Sequence, residues 1–201
     1  MNVAIVTFER FNEIDSFVAL SILNRLTALG VRAELVSPNP RVTSMNGVQL
    51  EGCRPLEVAT EADAVLIGSG RGTVDVIADG GILPRLRLDP ERQLIGSQCS
   101  GALILAQLDL LDGMPACTDV STRPLLEKAG VEVLDRAFRA DGNIATAGGC
   151  LASQYLCAWV LHRTLGQEAV ARGIGYVAPV GQEDEYIARA LAAVAPVGAE
   201  P

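Results

Sequence analysis

Residues 94–101 read LIGSQCSG. An apolar run stops there, and Cys99 stands at the corner before ALILAQLDLL, which has the character of a buried helix. At a sharp strand-to-helix turn, bulky neighbours two positions to either side would clash. Ser97 and Gly101 supply small ones. The pattern Ser-x-Cys-x-Gly therefore reads as a nucleophile elbow. Such a corner puts the sulfur at a helix N-terminus, where free amides and the helix dipole favour thiolate, the nucleophilic form. Cys53, Cys117, Cys150 and Cys157 read instead as buried packing residues. Cys150 and Cys157 lie seven apart on one apolar stretch.

Other chemistries lack their residues. No two cysteines form a Cys-x-x-Cys pair, and His162 is the one histidine. Neither a disulfide framework nor a zinc site is expected, and no metal or other cofactor is implied. The thiols read as reduced and the protein as cytoplasmic. The glycine-rich GSGRG (68–72) lacks the lysine of a phosphate loop and does not match G-x-G-x-x-G, which speaks against nucleotide binding. A formal charge of −8 argues against a nucleic-acid partner. No apolar run approaches the roughly 18 residues that would span a bilayer, and the start, MNVAIVTF, has no signal-peptide features.

The elements that must position Cys99 follow from periodicity. Apolar strands are expected at 2–8, 31–37, 62–68 and 93–98, with a hairpin around Asn46-Gly47 and two more strands around Asp141-Gly142. Helices are expected at 13–30, 73–88 (interrupted by Gly80-Gly81 and Pro84), 100–111, 123–131, 150–166 and 183–194. Alternation of strand and helix predicts an α/β fold, a doubly wound and mostly parallel sheet sandwiched by helices, with ligands at the carboxyl ends of the strands. One domain over 1–194 is expected, with 195–201 as an unstructured tail.

Five stretches, taken in order, resemble the ThiJ/PfpI (DJ-one) superfamily. They are NEIDSFVALSIL, DAVLIGSGRG, GSQCSGALILAQLDLLDG, ACTD and DGNIATAGGCLASQYLCAWVL, covering 1 to about 166. The resemblance implies a flavodoxin-like, class I glutamine-amidotransferase-like fold, a homodimer and a reactive cysteine at the elbow. Cys99 matches that cysteine. Asp15 matches the carboxylic side chain beside the sulfur, with Glu13 as a rival. The turn at Gly68-Ser69 matches the family's oxyanion turn, so backbone amides of Gly68 or Ser69 and of Ser100 are expected to hold a developing anion. Where peptidase-like members carry a histidine soon after the cysteine, this chain has Thr118 and Asp119, possible substrate contacts. His162, near the end of an apolar helix, reads as structural. Without a histidine base, a Cys-His peptidase has no proton acceptor.

Aspartate opening the helix, together with the late DGNIATAGG, looks like isonitrile hydratase. The expected function is then a small-molecule enzyme with Cys99 as nucleophile and Asp15 as general acid/base. The alternative is a redox- or stress-responsive protein whose elbow thiolate is oxidised rather than used for turnover. A glyoxalase-like activity is disfavoured by the missing histidine. A transcription regulator would need a DNA-binding domain beyond this chain.

Overall fold

The computed structural model describes residues 1–195. All of the expected tail except Ala195 lies outside the described residues. In chain order the elements are β1 (Asn2–Val6), α1 (Glu13–Asn24), β2 (Arg32–Ser37), β3 (Arg41–Thr43), β4 (Gln49–Glu51), β5 (Arg54–Pro55) and α2 (Val58–Glu61). Then come β6 (Ala64–Ile67), α3 (Thr73–Ala78), β7 (Leu94–Gln98), α4 (Gly101–Gln107) and α5 (Arg123–Lys128). The chain continues with β8 (Phe138–Asp141), β9 (Ile144–Ala147), α6 (Ser153–Leu165), α7 (Gln167–Val177) and α8 (Glu183–Val194).

Seven strands form one sheet in the order β5-β2-β1-β6-β7-β9-β8. Pairing is parallel throughout except for β8, which runs antiparallel on β9. The chain builds outward from β1 to β2 and β5, then returns to the other side of β1 as β6. The β1/β6 boundary is therefore a topological switch point, where loops leaving the carboxyl ends diverge and open a crevice. The expected hairpin exists as the separate pair β3–β4, with Gly47 at φ 92° in its turn.

Strand alternation divides the core. Val3, Ile5 and Leu66 face α1, α6, α7 and α8, while Ala4, Val6, Val65, Ile67 and Ile95 face α3 and α4. The helix expected over 73–88 is shorter: α3 ends at Ala78, and Leu83–Arg85 form a single 3₁₀ turn. Gly80-Gly81 and Pro84 account for the break, since both residue types are poor in a helix interior. Helix α7 was not anticipated. Its apolar residues Val170 and Ile174 are one helical turn apart and buried, but Gly166 masked it by ending α6 one residue earlier.

Candidate active site

Cys99 follows the last residue of β7 and adopts φ 46°, a left-handed conformation uncommon for any residue but glycine. Such strain persists only where the surroundings hold it. The Cys99 amide donates to the carbonyl of Ala147 at 2.8 Å. Its own carbonyl accepts from Thr118 Oγ1 at 2.8 Å. Gly101 is required by its neighbours, because a Cβ there would lie 2.7 Å from the Ile67 carbonyl oxygen and 2.8 Å from that of Gly68. The elbow is thus clamped from both adjacent strands.

Thr118 therefore holds the elbow with the hydroxyl that was expected to meet a substrate. Thr118→Val keeps the shape and removes the donor. It is expected to cost about 1 kcal/mol in urea unfolding and to lower kcat more than it raises KM, since what it disturbs is the position of the sulfur.

The acid comes from the first turn of α1. Asn12 caps that helix, accepting from the Ile14 amide at 3.1 Å, and the same turn carries Asp15. Asp15 is 3 % exposed. One carboxylate oxygen, Oδ2, accepts from the Ser69 amide at 3.2 Å and from the Ser69 hydroxyl. The other, Oδ1, is buried with no partner among the described residues. Donor atoms of Asp15, Cys99 and Cys150 all lie within 4.8 Å of one another. Glu13 is turned away, bonded to Ser44 Oγ and to Asn46 Nδ2 at 2.9 Å in the β3–β4 turn.

The expected oxyanion donors divide. The Gly68 amide is spent on the Val6 carbonyl at 3.0 Å, because residue 68 continues the β1–β6 ladder, so it cannot serve. Ser69 uses its amide and hydroxyl to hold Asp15. Among the described residues, the Ser100 amide has no such acceptor. Ser100 Oγ accepts from the Gly70 amide at 3.1 Å and lies 2.7 Å from Thr73 Oγ1, tying α4 to the glycine-rich turn.

Cys99, Cys150, Ser69, Ser100, Asp119 and Arg71 share one cavity of about 350 Å³ open to solvent. Asp119 lines it, but its carboxylate accepts from Thr122 Oγ1 at 2.6 Å, from the amides of Ser121 and Thr122 at 2.9 and 3.0 Å, and from Ser121 Oγ. Burial pushes its carboxyl up, but these bonds outweigh that and hold it below its ordinary value. It is a fixed anion at the rim.

Electrostatics correct one expectation. Burial, followed by the Asp15 carboxylate, pushes the Cys99 thiol up to about 12, although Gln98 Nε2 donates to the sulfur at 3.5 Å. Burial also raises Asp15 to about 6, against hydrogen bonds from Ser69 that lower it and with the Asp119 charge adding to the rise. Position at the start of α4 does not by itself make a thiolate. Between about pH 6 and about 12 the two groups hold one proton between them. A thiolate at Cys99 in that range requires the proton to sit on Asp15.

Cys150 was expected to be a packing residue of the apolar helix. It stands before α6, on a 3₁₀ turn (Cys150–Ala152) just past the carboxyl end of β9, and its sulfur accepts from Asn12 Nδ2 at 3.1 Å. A carboxylate and two thiols are also a donor set suited to a soft cation, three of the four positions of a tetrahedral site. Spacing could not show this, because residues 15, 99 and 150 meet only through the topology.

Residues 1–163 match the sequence profile of the DJ-1/PfpI family. The chain belongs to that family. Within it, the chain is 33 % identical over 113 residues to isonitrile hydratase of Pseudomonas putida. That alignment covers 55 % of this chain and 49 % of the relative, so it spans about half of the hydratase's length. Among solved structures, Schizosaccharomyces pombe DJ-1 is similar over 89 % of this chain and all of its own, with a TM-score of 0.75 at 16 % identity. Drosophila melanogaster DJ-1beta covers 88 % of this chain and 96 % of its own, with a TM-score of 0.73 at 19 % identity. These likenesses establish the DJ-1/PfpI fold.

Proposed function

We propose that the chain is a cysteine-dependent small-molecule enzyme of the DJ-1/PfpI family that hydrates isonitriles. The observation that carries this reading is the pairing of Asp15 with Cys99: a buried carboxyl, one oxygen fixed by Ser69 and the other unpartnered, beside a strained thiol. The P. putida hydratase supports the substrate class. His162 lies in the last turn of α6, about 13 Å along the helix from the end that meets the site, so the chemistry is one that needs no histidine.

The Cys99 thiolate attacks the terminal carbon of R–N≡C, forming a C–S bond. Asp15 delivers its proton to that carbon, giving a thioimidate, and becomes the carboxylate. It then takes a proton from an incoming water as the oxygen adds to the same carbon. The C–S bond breaks as the proton of the added hydroxyl passes to nitrogen, and a formamide leaves with Cys99 again a thiolate beside protonated Asp15. The net reaction is one isonitrile plus one water. The Ser100 amide is the donor available to the added oxygen.

In this reading the protein works as a cytoplasmic homodimer. Sedimentation showing only monomer at micromolar concentration rejects the dimer. Among the described residues no helix is long and apolar enough to cross a membrane. The test of the activity is protein-dependent conversion of alkyl and aryl isonitriles to formamides, followed by loss of the isonitrile infrared stretch. Conversion that Cys99→Ala abolishes is expected. No turnover across such a panel, or turnover unchanged in Cys99→Ala, overturns the proposal.

A further inference from the structure

The hydration steps leave the second thiol in the cavity unused. We propose that Cys150 is the resolving partner of Cys99, so that a peroxide converts the pair to an intramolecular disulfide. The inference rests on Cys99 being the nucleophile, as above.

Four observations support it. The two sulfurs lie within 4.8 Å, and they line the same open cavity. A disulfide needs about 2.05 Å. Changing one staggered rotamer at Cys150 moves its sulfur by about 3 Å, the size of that gap. Each sulfur also has a side-chain amide aimed at it, Asn12 Nδ2 at 3.1 Å on Cys150 and Gln98 Nε2 at 3.5 Å on Cys99. On Cys99 that donor opposes the rise that burial imposes. Gln98 Nε2 further bonds the Gly149 carbonyl at 2.6 Å, fixing the two cysteine-bearing loops to each other.

The steps balance. The Cys99 thiolate attacks one oxygen of ROOH, the O–O bond breaks, and the alkoxide leaves as ROH with the proton from Asp15. Cys99 is now a sulfenic acid, oxidised by two electrons. The Cys150 thiolate attacks the Cys99 sulfur, the S–O bond breaks, and hydroxide leaves as water by taking the proton that Cys150 gave up. Two thiols and one peroxide yield one disulfide, one alcohol and one water. Capture by Cys150 outruns a second oxidation to sulfinic acid, so the nucleophile is protected reversibly.

The test treats full-length protein with at least two equivalents of hydrogen peroxide per chain, with a chelator present throughout so that no bound cation masks the thiols. It then reads intact mass and maps peptides without reduction. Wild type should lose two hydrogens and two titratable thiols per chain, yield one peptide joining residues 99 and 150, and recover both thiols in dithiothreitol. Cys150→Ser should instead accumulate two oxygens on Cys99. If wild type gains two oxygens at Cys99 while Cys150 stays alkylatable, or if Cys99 pairs with any other cysteine, the resolving role is overturned and Cys99 remains the nucleophile. If Cys99 is untouched under conditions that oxidise free cysteine, the resolving role is overturned, while the isonitrile assay still decides the proposed function. Should Cys150→Ser not fold by circular dichroism, the wild-type peptide map decides alone.

Discussion

Asp15→Asn is expected to move two properties of Cys99 in opposite directions. Turnover should fall by about 10²–10⁴-fold, the usual range for loss of a positioned proton donor. Alkylation of Cys99 by iodoacetamide should become about a hundredfold faster at pH 8. The second effect follows from the shared proton. In wild type above about pH 6 the carboxyl is ionised, and thiolate exists only in the minor tautomer, whose share does not change with pH. With asparagine in place, thiolate forms by simple ionisation and its share rises tenfold per pH unit. The two share the same value near pH 6, where Asp15 titrates, and diverge by two decades at pH 8. Rates of carbamidomethylation between pH 5 and 9 check this: a flat wild-type profile above 6 crossing a sloping variant. If the variant alkylates more slowly than wild type at pH 8, Asp15 activates the thiol rather than opposing its ionisation.

The same substitution has a stability signature. The carboxyl of Asp15 is raised from 3.8 to about 6 on folding, so the native state holds a proton that the unfolded chain has released. Stability is then highest below about pH 4, falls as pH rises toward 6, and stays reduced above it. The shift corresponds to about 3 kcal/mol. Asp15→Asn should be indistinguishable from wild type at pH 4 and more stable by up to that amount at pH 8, measured by urea unfolding. A variant that is less active and more stable is what a strained, buried site predicts.

The fold was legible because a parallel sheet is buried on both faces and its strands open on apolar residues: AVLI of β6 is apolar throughout, LIGSQ of β7 begins apolar, and both are buried at every position. The elbow was legible because its constraint is local, small residues at 97 and 101 around a turn. Asp15 came from resemblance, and Glu13 could be set aside only once the β3–β4 turn was seen to hold it. Gly68 was misassigned because a glycine-rich turn looks the same whether its amide is free or still in the ladder. Cys150 was missed for a different reason. Its spacing to Cys157 suggested one helix face, yet Gly148-Gly149 marked the carboxyl end of a strand beside β7. In a doubly wound sheet that position opens on the ligand crevice.

Gly148 supports the other half of the elbow, and Gly148→Ala should disrupt it strongly. A Cβ there would lie 2.3 Å from the Thr118 carbonyl oxygen and 2.8 Å from its carbon. Both are backbone atoms and cannot rotate away. Relief requires moving Thr118, which carries the hydroxyl bonded to Cys99, or moving β9, which carries the Ala147 carbonyl bonded to the Cys99 amide. Either motion carries the sulfur with it. Overpacking of this kind costs about 1–3 kcal/mol, and displacement of a reacting group by about 1 Å costs on the order of 10² in rate. Gly166→Ala separates backbone strain from position. Gly166 has φ 85° with nothing within 4 Å of a Cβ, at the end of α6 away from the cavity. With ψ at −175° its backbone is one that only glycine adopts readily, so the substitution should lower stability by about 1–3 kcal/mol and leave kcat/KM unchanged. If Gly148→Ala and Gly166→Ala lose equal stability and equal activity, the clamp on Cys99 is not what sets the position of the nucleophile.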